Sequence, residues 1–297
     1  MRWISLALPL FILIGCSSSP VNRAQWSEQR LMPTSIRSLS DSLPEGSGLA
    51  LRNETLWSIN DGGNEPNLYG LNLSDGAASE VKQITVRNAA NLDWESLITT
   101  NESLVIADCG NNRGDRIWFQ FHSIGWDQLE GSQGLVDAKT IHVKLADVTP
   151  AVERQDHNRD CEAVTEVDGD YWLFTKNWQD QKSRLYIIDP HQDRQSVRSQ
   201  ATFDVAGLIT GADYDSTSRR LALIGYGSGF AVTQPFVWVI PVDQGQVEFD
   251  QAVRYSLAKM GQWEAIHWHQ GNLLISRETS PLGGALLAEV KLPTLMH

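Results

Sequence analysis

Apolar residues along this chain come in short bursts, either alternating with polar residues or running together, and each burst ends at Gly, Asn, Asp or Ser. That period of two, with almost no helical spacing, predicts an all-β fold. A unit recurs. Its first burst is short and often opens on an acidic residue, at residues 47–50, 94–98, 161–164, 211–214 and 263–266. After a polar turn comes a strongly apolar burst, at residues 56–59, 104–107, 171–174, 221–224 and 273–276. A third follows at residues 68–71, 117–121, 185–188, 237–240 and 286–290. A more polar fourth closes four of the units, at residues 81–86, 140–145, 199–205 and 252–257.

The last unit lacks a fourth burst, whereas residues 34–39 form a spare strand-like stretch at the other terminus. Letting that stretch complete the last unit closes a ring, the device by which a propeller leaves no open sheet edge. The pattern therefore predicts a β-propeller of five four-stranded blades, closed by an N-terminal strand. Six blades is the alternative, should residues 22–43 and 125–159 supply further strands. A two-sheet sandwich leaves five like units unexplained.

In a blade the first two strands form an antiparallel hairpin next to the axis, so the start of the first and the end of the second share one rim. The first-strand starts carry Asp93, Glu95, Asp160, Glu162, Asp213 and Glu264. The second-strand ends carry Asn60-Asp61-Gly62-Gly63-Asn64, Asp108-Cys109-Gly110-Asn111-Asn112, Lys176-Asn177, Gly225-Tyr226-Gly227 and Arg277-Glu278. Carboxylates gathered there repel one another unless a cation, a proton or a basic side chain compensates. Glu95, Glu162 and Glu264 are the candidate metal ligands and the candidate catalytic carboxylates. Asp61, Asn64, Asp93, Asp108, Asn111, Asn112, Asp160, Lys176, Asp213, Arg277 and Glu278 are candidate ligand contacts, with Lys176 and Arg277 as counter-charges. Taken singly, Asp61 and Asn111 read equally as turn residues bonding their own backbone. Trp57, Trp172 and Trp238 read as packing between blades, whereas Trp94 and Trp263 adjoin glutamates and are candidates to line the pocket. His267 and His269 flank Trp268, a weak signal that reads as surface.

The N-terminus changes the picture. Arg2 followed by an apolar run to Ile14 is too short to span a bilayer and reads as a signal peptide. Leu13-Ile14-Gly15-Cys16 resembles the bacterial lipobox, which implies cleavage before Cys16 and lipidation of that residue. Residues 1–15 are then the leader, 16–33 a lipidated tether opening on Ser17-Ser18-Ser19-Pro20, and 34–297 one propeller domain. Ser17 after the cysteine matches sorting to the outer membrane, so the expected location is the periplasm, lipid-anchored, with the acyl chains as the membrane partner. Losing the leader removes Arg2 alone, one of 24 basic residues, and leaves 36 acidic ones. So acidic a chain excludes nucleic acid as a partner. Cys109 and Cys161 fall at the same rim on adjacent units, which in an oxidising compartment predicts a disulfide.

Asn60 to Asn64, Asn91-Leu92-Asp93-Trp94-Glu95, Asp108 to Asn112 and Thr210-Gly211-Ala212-Asp213-Tyr214, in this order, resemble a family of secreted bacterial β-propellers. Some members carry Asp where this chain has Cys109 or Asn111. More loosely, the arrangement is similar to the gluconolactonase, strictosidine-synthase and phytase-like propellers, which implies a divalent cation held at the axis by Glu, Asp and Asn side chains.

Two functional expectations follow. One is a monomeric lipoprotein that binds a small molecule, glycan or protein ligand at an acidic mouth occupied by a divalent cation, Ca²⁺. The other is an enzyme: a metal-dependent hydrolase of an ester, lactone or phosphate, or a glycosidase using paired carboxylates.

Overall fold

A computed structural model describes residues 24–39, 43–74, 81–148, 153–227 and 234–293. The leader and Cys16 lie outside the described residues.

Five small antiparallel sheets are arranged as a five-bladed propeller. From the axis outwards, blade 1 is Gly46–Arg52, Thr55–Asn60, Asn67–Asn72 and Lys82–Val86. Blade 2 is Trp94–Thr99, Ser103–Asp108, Phe119–Gly125 and Lys139–Leu145, and blade 3 is Asp160–Val167, Asp170–Lys176, Ser183–Ile188 and Ser199–Phe203. Blade 4 is Leu208–Asp215, Arg220–Tyr226, Pro235–Asp243 and Val253–Leu257. Blade 5 is Trp263–His269, Asn272–Arg277, Leu286–Val290 and, from the N-terminus, Thr34–Ser38. Ring closure is thus made by Thr34–Ser38 pairing antiparallel with Leu286–Val290.

Strand periodicity explains why the blades stack. Along the second strand of blade 4, Leu221 and Leu223 enter the core shared with blade 3, whereas Ala222 and Ile224 enter the core shared with blade 5. Alternate side chains point to opposite faces, and each face is buried against a neighbour. The same division gives five cores, one between each adjacent pair of blades. Trp57, Trp172 and Trp238 sit in these cores. Tight two-residue turns close the inner hairpins: Asp168-Gly169 and Gln270-Gly271 both have positive φ throughout, as the turn that matches strand twist demands.

The described residues of 125–159 add no sixth blade. They supply the short helix Trp126–Glu130, the outer strand of blade 2, and the two-residue strand Leu135–Val136, which joins the edge of blade 1 in parallel. Arg194–Val197 joins the edge of blade 2 in the same way, and Gln25–Leu31 joins the edge of blade 4. Each addition immediately precedes the outer strand of the following blade, so one device covers three exposed edges. Gln25–Leu31 falls in the stretch expected to be tether; Leu31 is buried there and the Arg254 guanidinium stacks 4.2 Å over Trp26. Strand limits also differ from the pattern, two of them where it matters for the site. The third strand of blade 2 begins at Phe119 rather than residue 117, and the first strand of blade 4 begins at Leu208. No helix among the described residues is long and apolar enough to cross a membrane.

Candidate functional site

The inner hairpins open at one rim, where Gly46 pairs Asn60, Trp94 pairs Asp108, Asp160 pairs Lys176, Leu208 pairs Tyr226, and Trp263 pairs Arg277. Just inside that rim, every inner strand slips register by one residue. The residues skipped are Ser47, Glu95, Glu162, Thr210 and Glu264. A bulge takes its extra residue out of the ladder and re-aims its side chain. Five equivalent positions around the axis therefore carry three glutamates and two hydroxyls.

The hydroxyls tie the ring together. Ser47 Oγ donates to the Trp94 carbonyl at 2.9 Å, and Thr210 Oγ1 donates to the Trp263 carbonyl at 2.8 Å. Each therefore grips the residue that precedes a glutamate on the next blade, which fixes the bulges of Glu95 and Glu264.

The glutamates are buried and lie within electrostatic reach of one another. Burial first, and then Glu162, Asp61 and Asp93, push the Glu95 carboxyl well above the usual range. Burial, Asp160, Glu264 and Asp61 do the same to Glu162 against the pull of Lys176. Glu264 is raised by burial and by Asp61. Asp93, half-buried, is pushed up to about 7 by burial and by Asp61 and Asp160, and Glu278 to about 9 by burial and by Glu264 and Asp61. Asp61 is raised by burial, partly offset by the Gly62 amide that it caps.

Within this group, carboxylate oxygens of Asp61, Asp93 and Glu95 all lie within 4.8 Å of one another. Glu95 is only 5% exposed, and among the described residues no donor reaches its carboxylate. Gly110 makes the room: a Cβ there would collide with the carboxylates of Asp93 and Glu95.

The opposite side of the mouth is differently built. Lys176 Nζ lies 3.1 Å from Glu162 Oε1 and packs 4.9 Å over the Trp178 ring and 5.5 Å over Tyr226. Against the effect of burial, Glu162, Tyr226 and Glu264 hold its ammonium charged well above the ordinary value. The Tyr226 hydroxyl, together with Lys176, partly offsets the rise at Glu264.

Several predicted contacts are elsewhere. Asp213 is not the counterpart of Glu264; that position is Thr210. Because the strand begins earlier, Asp213 stands farther along it, pairs with His267 Nδ1 at 3.0 Å and accepts from the Trp268 amide at 2.7 Å. His267 is accordingly buried rather than on the surface. Arg277 is no counter-charge to the mouth: its guanidinium donates to the Gly284 and Met260 carbonyls. Asp108 is buried in an ion pair with Arg116 at 2.7 Å. Asp160 accepts from the Asn111 amide at 2.6 Å and from Trp178 Nε1 at 2.7 Å, so it braces the rim. Asn111 also takes the Arg116 amide, Asn112 accepts from Gln155, and Asn64 donates to Glu45 and to the Asp61 carbonyl. Trp94 and Trp263 are buried between blades, and their indole N–H groups bond the Ala90 and Lys259 carbonyls. Tyr226, missed among the contact residues, ends its strand where Lys176 ends the neighbouring one, and that shared position was its signal. Cys109 and Cys161 form a disulfide with Cα atoms 5.3 Å apart, joining blades 2 and 3 at the rim.

No protein-family model and no curated protein matches the sequence. Among solved structures the chain is similar to the glutaminyl cyclase of Myxococcus xanthus, with a TM-score of 0.50, 11% identity, and 88% of this chain and 97% of that one covered. It is also similar to a putative oxidoreductase (glucose dehydrogenase) of Thermus thermophilus, with a TM-score of 0.49, 7% identity, and 88% and 100% covered. A putative 6-phosphogluconolactonase of Bacteroides uniformis gives a TM-score of 0.44, 15% identity, and 88% and 75% covered. At 11% identity the likeness to the cyclase is one of fold alone.

Proposed function

We propose that this propeller is a lipid-anchored periplasmic protein that holds a divalent cation, Ca²⁺, at Asp61, Asp93 and Glu95, and binds a small-molecule, glycan or protein ligand against it. The observation that carries the reading is Glu95: a buried carboxylate that no hydrogen-bond donor reaches among the described residues, facing two further carboxylates. Such a group is costly unless a proton or a cation compensates it. Oxygens bound to one Ca²⁺ at about 2.3–2.6 Å lie no more than about 5 Å apart, and these three meet that limit. Bound there, the cation supplies charge compensation and a Lewis-acidic point for an oxygen of the ligand. Lys176, Tyr226, Glu162, Glu264 and Glu278 form the facing wall and orient what enters.

A second reading, hydrolysis of an ester, lactone, phosphate or glycoside, draws on one observation. Glu278, pushed up to about 9, keeps its proton at neutral pH beside Glu264, the state a general acid requires.

Calorimetric titration of the mature protein with CaCl₂ tests the first reading. One site is expected, weakened at least about tenfold in Asp93→Asn and in Glu95→Gln, as loss of a charged ligand requires. Absence of saturable binding sinks it. Turnover in a panel of ester, lactone, phosphate and glycoside substrates would favour the second. Palmitate incorporation that persists in Cys16→Ser would remove the anchor.

A further inference from the structure

The mouth is acidic, yet a cationic cavity lies on the same face, away from the axis. It has a volume of about 100 Å³ and is bordered by Arg116, Lys144 and Arg159 with the apolar Phe119, Leu145 and Val148. Local sequence explains its place. Arg159 immediately precedes the inner strand of blade 3, Arg116 leads into the third strand of blade 2, and Lys144 and Leu145 end the outer strand of blade 2. The cavity thus opens where blades 2 and 3 meet, outside the disulfide.

Its three cations are unequally satisfied. Arg116 is committed to Asp108 and to the Asp108 and Gly110 carbonyls. Arg159 is only 4% exposed and donates from Nη2 to the Arg116 carbonyl at 2.8 Å, but its Nε and Nη1 have no partner among the described residues. A buried guanidinium with unmet donors costs far more than one in water. Asp115, whose charge acts on it, is exposed and forms no ion pair with it among the described residues. Burial lowers the Arg159 pKa, in keeping with a charge that lacks its counterpart. Lys144, half-buried, adds a second cation without an ion-pair partner among the described residues. In a chain of net charge −12, a concave site with two uncompensated cations selects an anion.

We infer that this cavity binds the carboxylate of a short aliphatic acid, its oxygens on Arg159 and Lys144 and its apolar end against Phe119, Leu145 and Val148. Charge-assisted hydrogen bonds to a guanidinium suit a carboxylate. The small volume and apolar wall favour an acid with a short hydrocarbon tail over a strongly hydrated inorganic anion.

Calorimetric titration of the mature protein with sodium butyrate tests this, with butyramide as the uncharged isostere and inorganic phosphate as the alternative anion. Butyrate is expected to saturate one site with a Kd on the order of 1 mM. Arg159→Met should weaken it at least about tenfold and Lys144→Gln about threefold, as loss of charged partners requires. Lys144 is only half-buried, near the end of the outer strand of blade 2, so its variant carries the test even where Arg159→Met does not fold. Equal binding of butyramide, tighter binding of phosphate, unchanged affinity in the variants, or no saturable binding of butyrate would each overturn the inference. Binding is expected whether or not CaCl₂ is present, so failure here is distinct from failure of the axial site.

Discussion

Lys176 Nζ sits 3.1 Å from Glu162 Oε1, with both side chains almost wholly buried at the axis. Lys176 is the cation that recurs among the charges acting on Asp61, Glu95, Glu162, Glu264 and Glu278. Removing one partner of a buried pair leaves an uncompensated charge and costs about 3–5 kcal/mol. Lys176→Met is therefore expected to lose stability of that order at pH 8, read by urea unfolding. The double variant with Glu162→Gln should recover most of it. A double variant as unstable as the single one would show that the two residues are not coupled.

The raised carboxyls fix the sign of the pH dependence. Asp93 titrates at about 7 in the fold against an ordinary 3.8, and Glu278 at about 9 against 4.5. A group raised by folding favours the folded state fully below its ordinary pKa, and that contribution fades as pH climbs through the folded value. Without metal, the melting temperature should fall steadily between about pH 5 and pH 9. Asp93→Asn should flatten the part near neutrality. Ca²⁺ competes with those protons, so its affinity should rise through pH 7 with measurable proton release, seen as a buffer-dependent titration heat. A melting temperature that climbs over this range, or proton-independent binding, would contradict the arrangement described for the mouth.

The blade count, ring closure, disulfide and acidic rim were all legible in the sequence, because each depends on a period of two or on order along the chain. Which residue of each inner strand faces the axis was legible only in part. Trp94-Glu95-Ser96, Cys161-Glu162-Ala163 and Trp263-Glu264-Ala265 share a glutamate at the same place, but in blade 4 the first acidic residue of the strand is Asp213. The true counterpart is Thr210, and the pair Thr210-Gly211 matches Ser47-Gly48 in blade 1. Those glycines let adjacent inner strands approach, since a Cβ on either would come within 2.7 Å of a neighbouring backbone atom. A register slip moves every later side chain, and a pattern of apolar and polar residues cannot show where one residue leaves the ladder. Arg277 misled for another reason: charge at a rim does not reveal that nearby carbonyls have claimed it.

The hydroxyl positions give a stability test independent of any ligand. Thr210→Val keeps the shape of the side chain but removes the donor to the buried Trp263 carbonyl. Leaving a buried acceptor unmet costs about 1–3 kcal/mol. Since that bond fixes the strand just before Glu264, the variant should lose stability in this range under urea while keeping its β-sheet far-ultraviolet signature. Ser47→Ala, which frees the Trp94 carbonyl next to Glu95, should behave alike. A loss well below this range in both variants would mean that the bulges hold without their inter-blade ties.

Gly110 offers the cleanest separation of site from fold. A methyl group there would meet the carboxylates of Asp93 and Glu95, which are the mobile ends of side chains rather than backbone, so they are able to swing aside. Gly110→Ala is thus expected to fold with little loss of stability, while spreading the three oxygens that lie within 4.8 Å. Ca²⁺ tolerates varied geometry but not the loss of ligand oxygens from reach. Its affinity should fall at least about tenfold, a change of about 1.4 kcal/mol or more in binding free energy. Gly284→Ala, where a Cβ meets nothing within 4 Å, is the matched control and should bind as the wild type does. Equal affinity in both variants would move the cation, if one binds, away from the space between Asp61, Asp93 and Glu95.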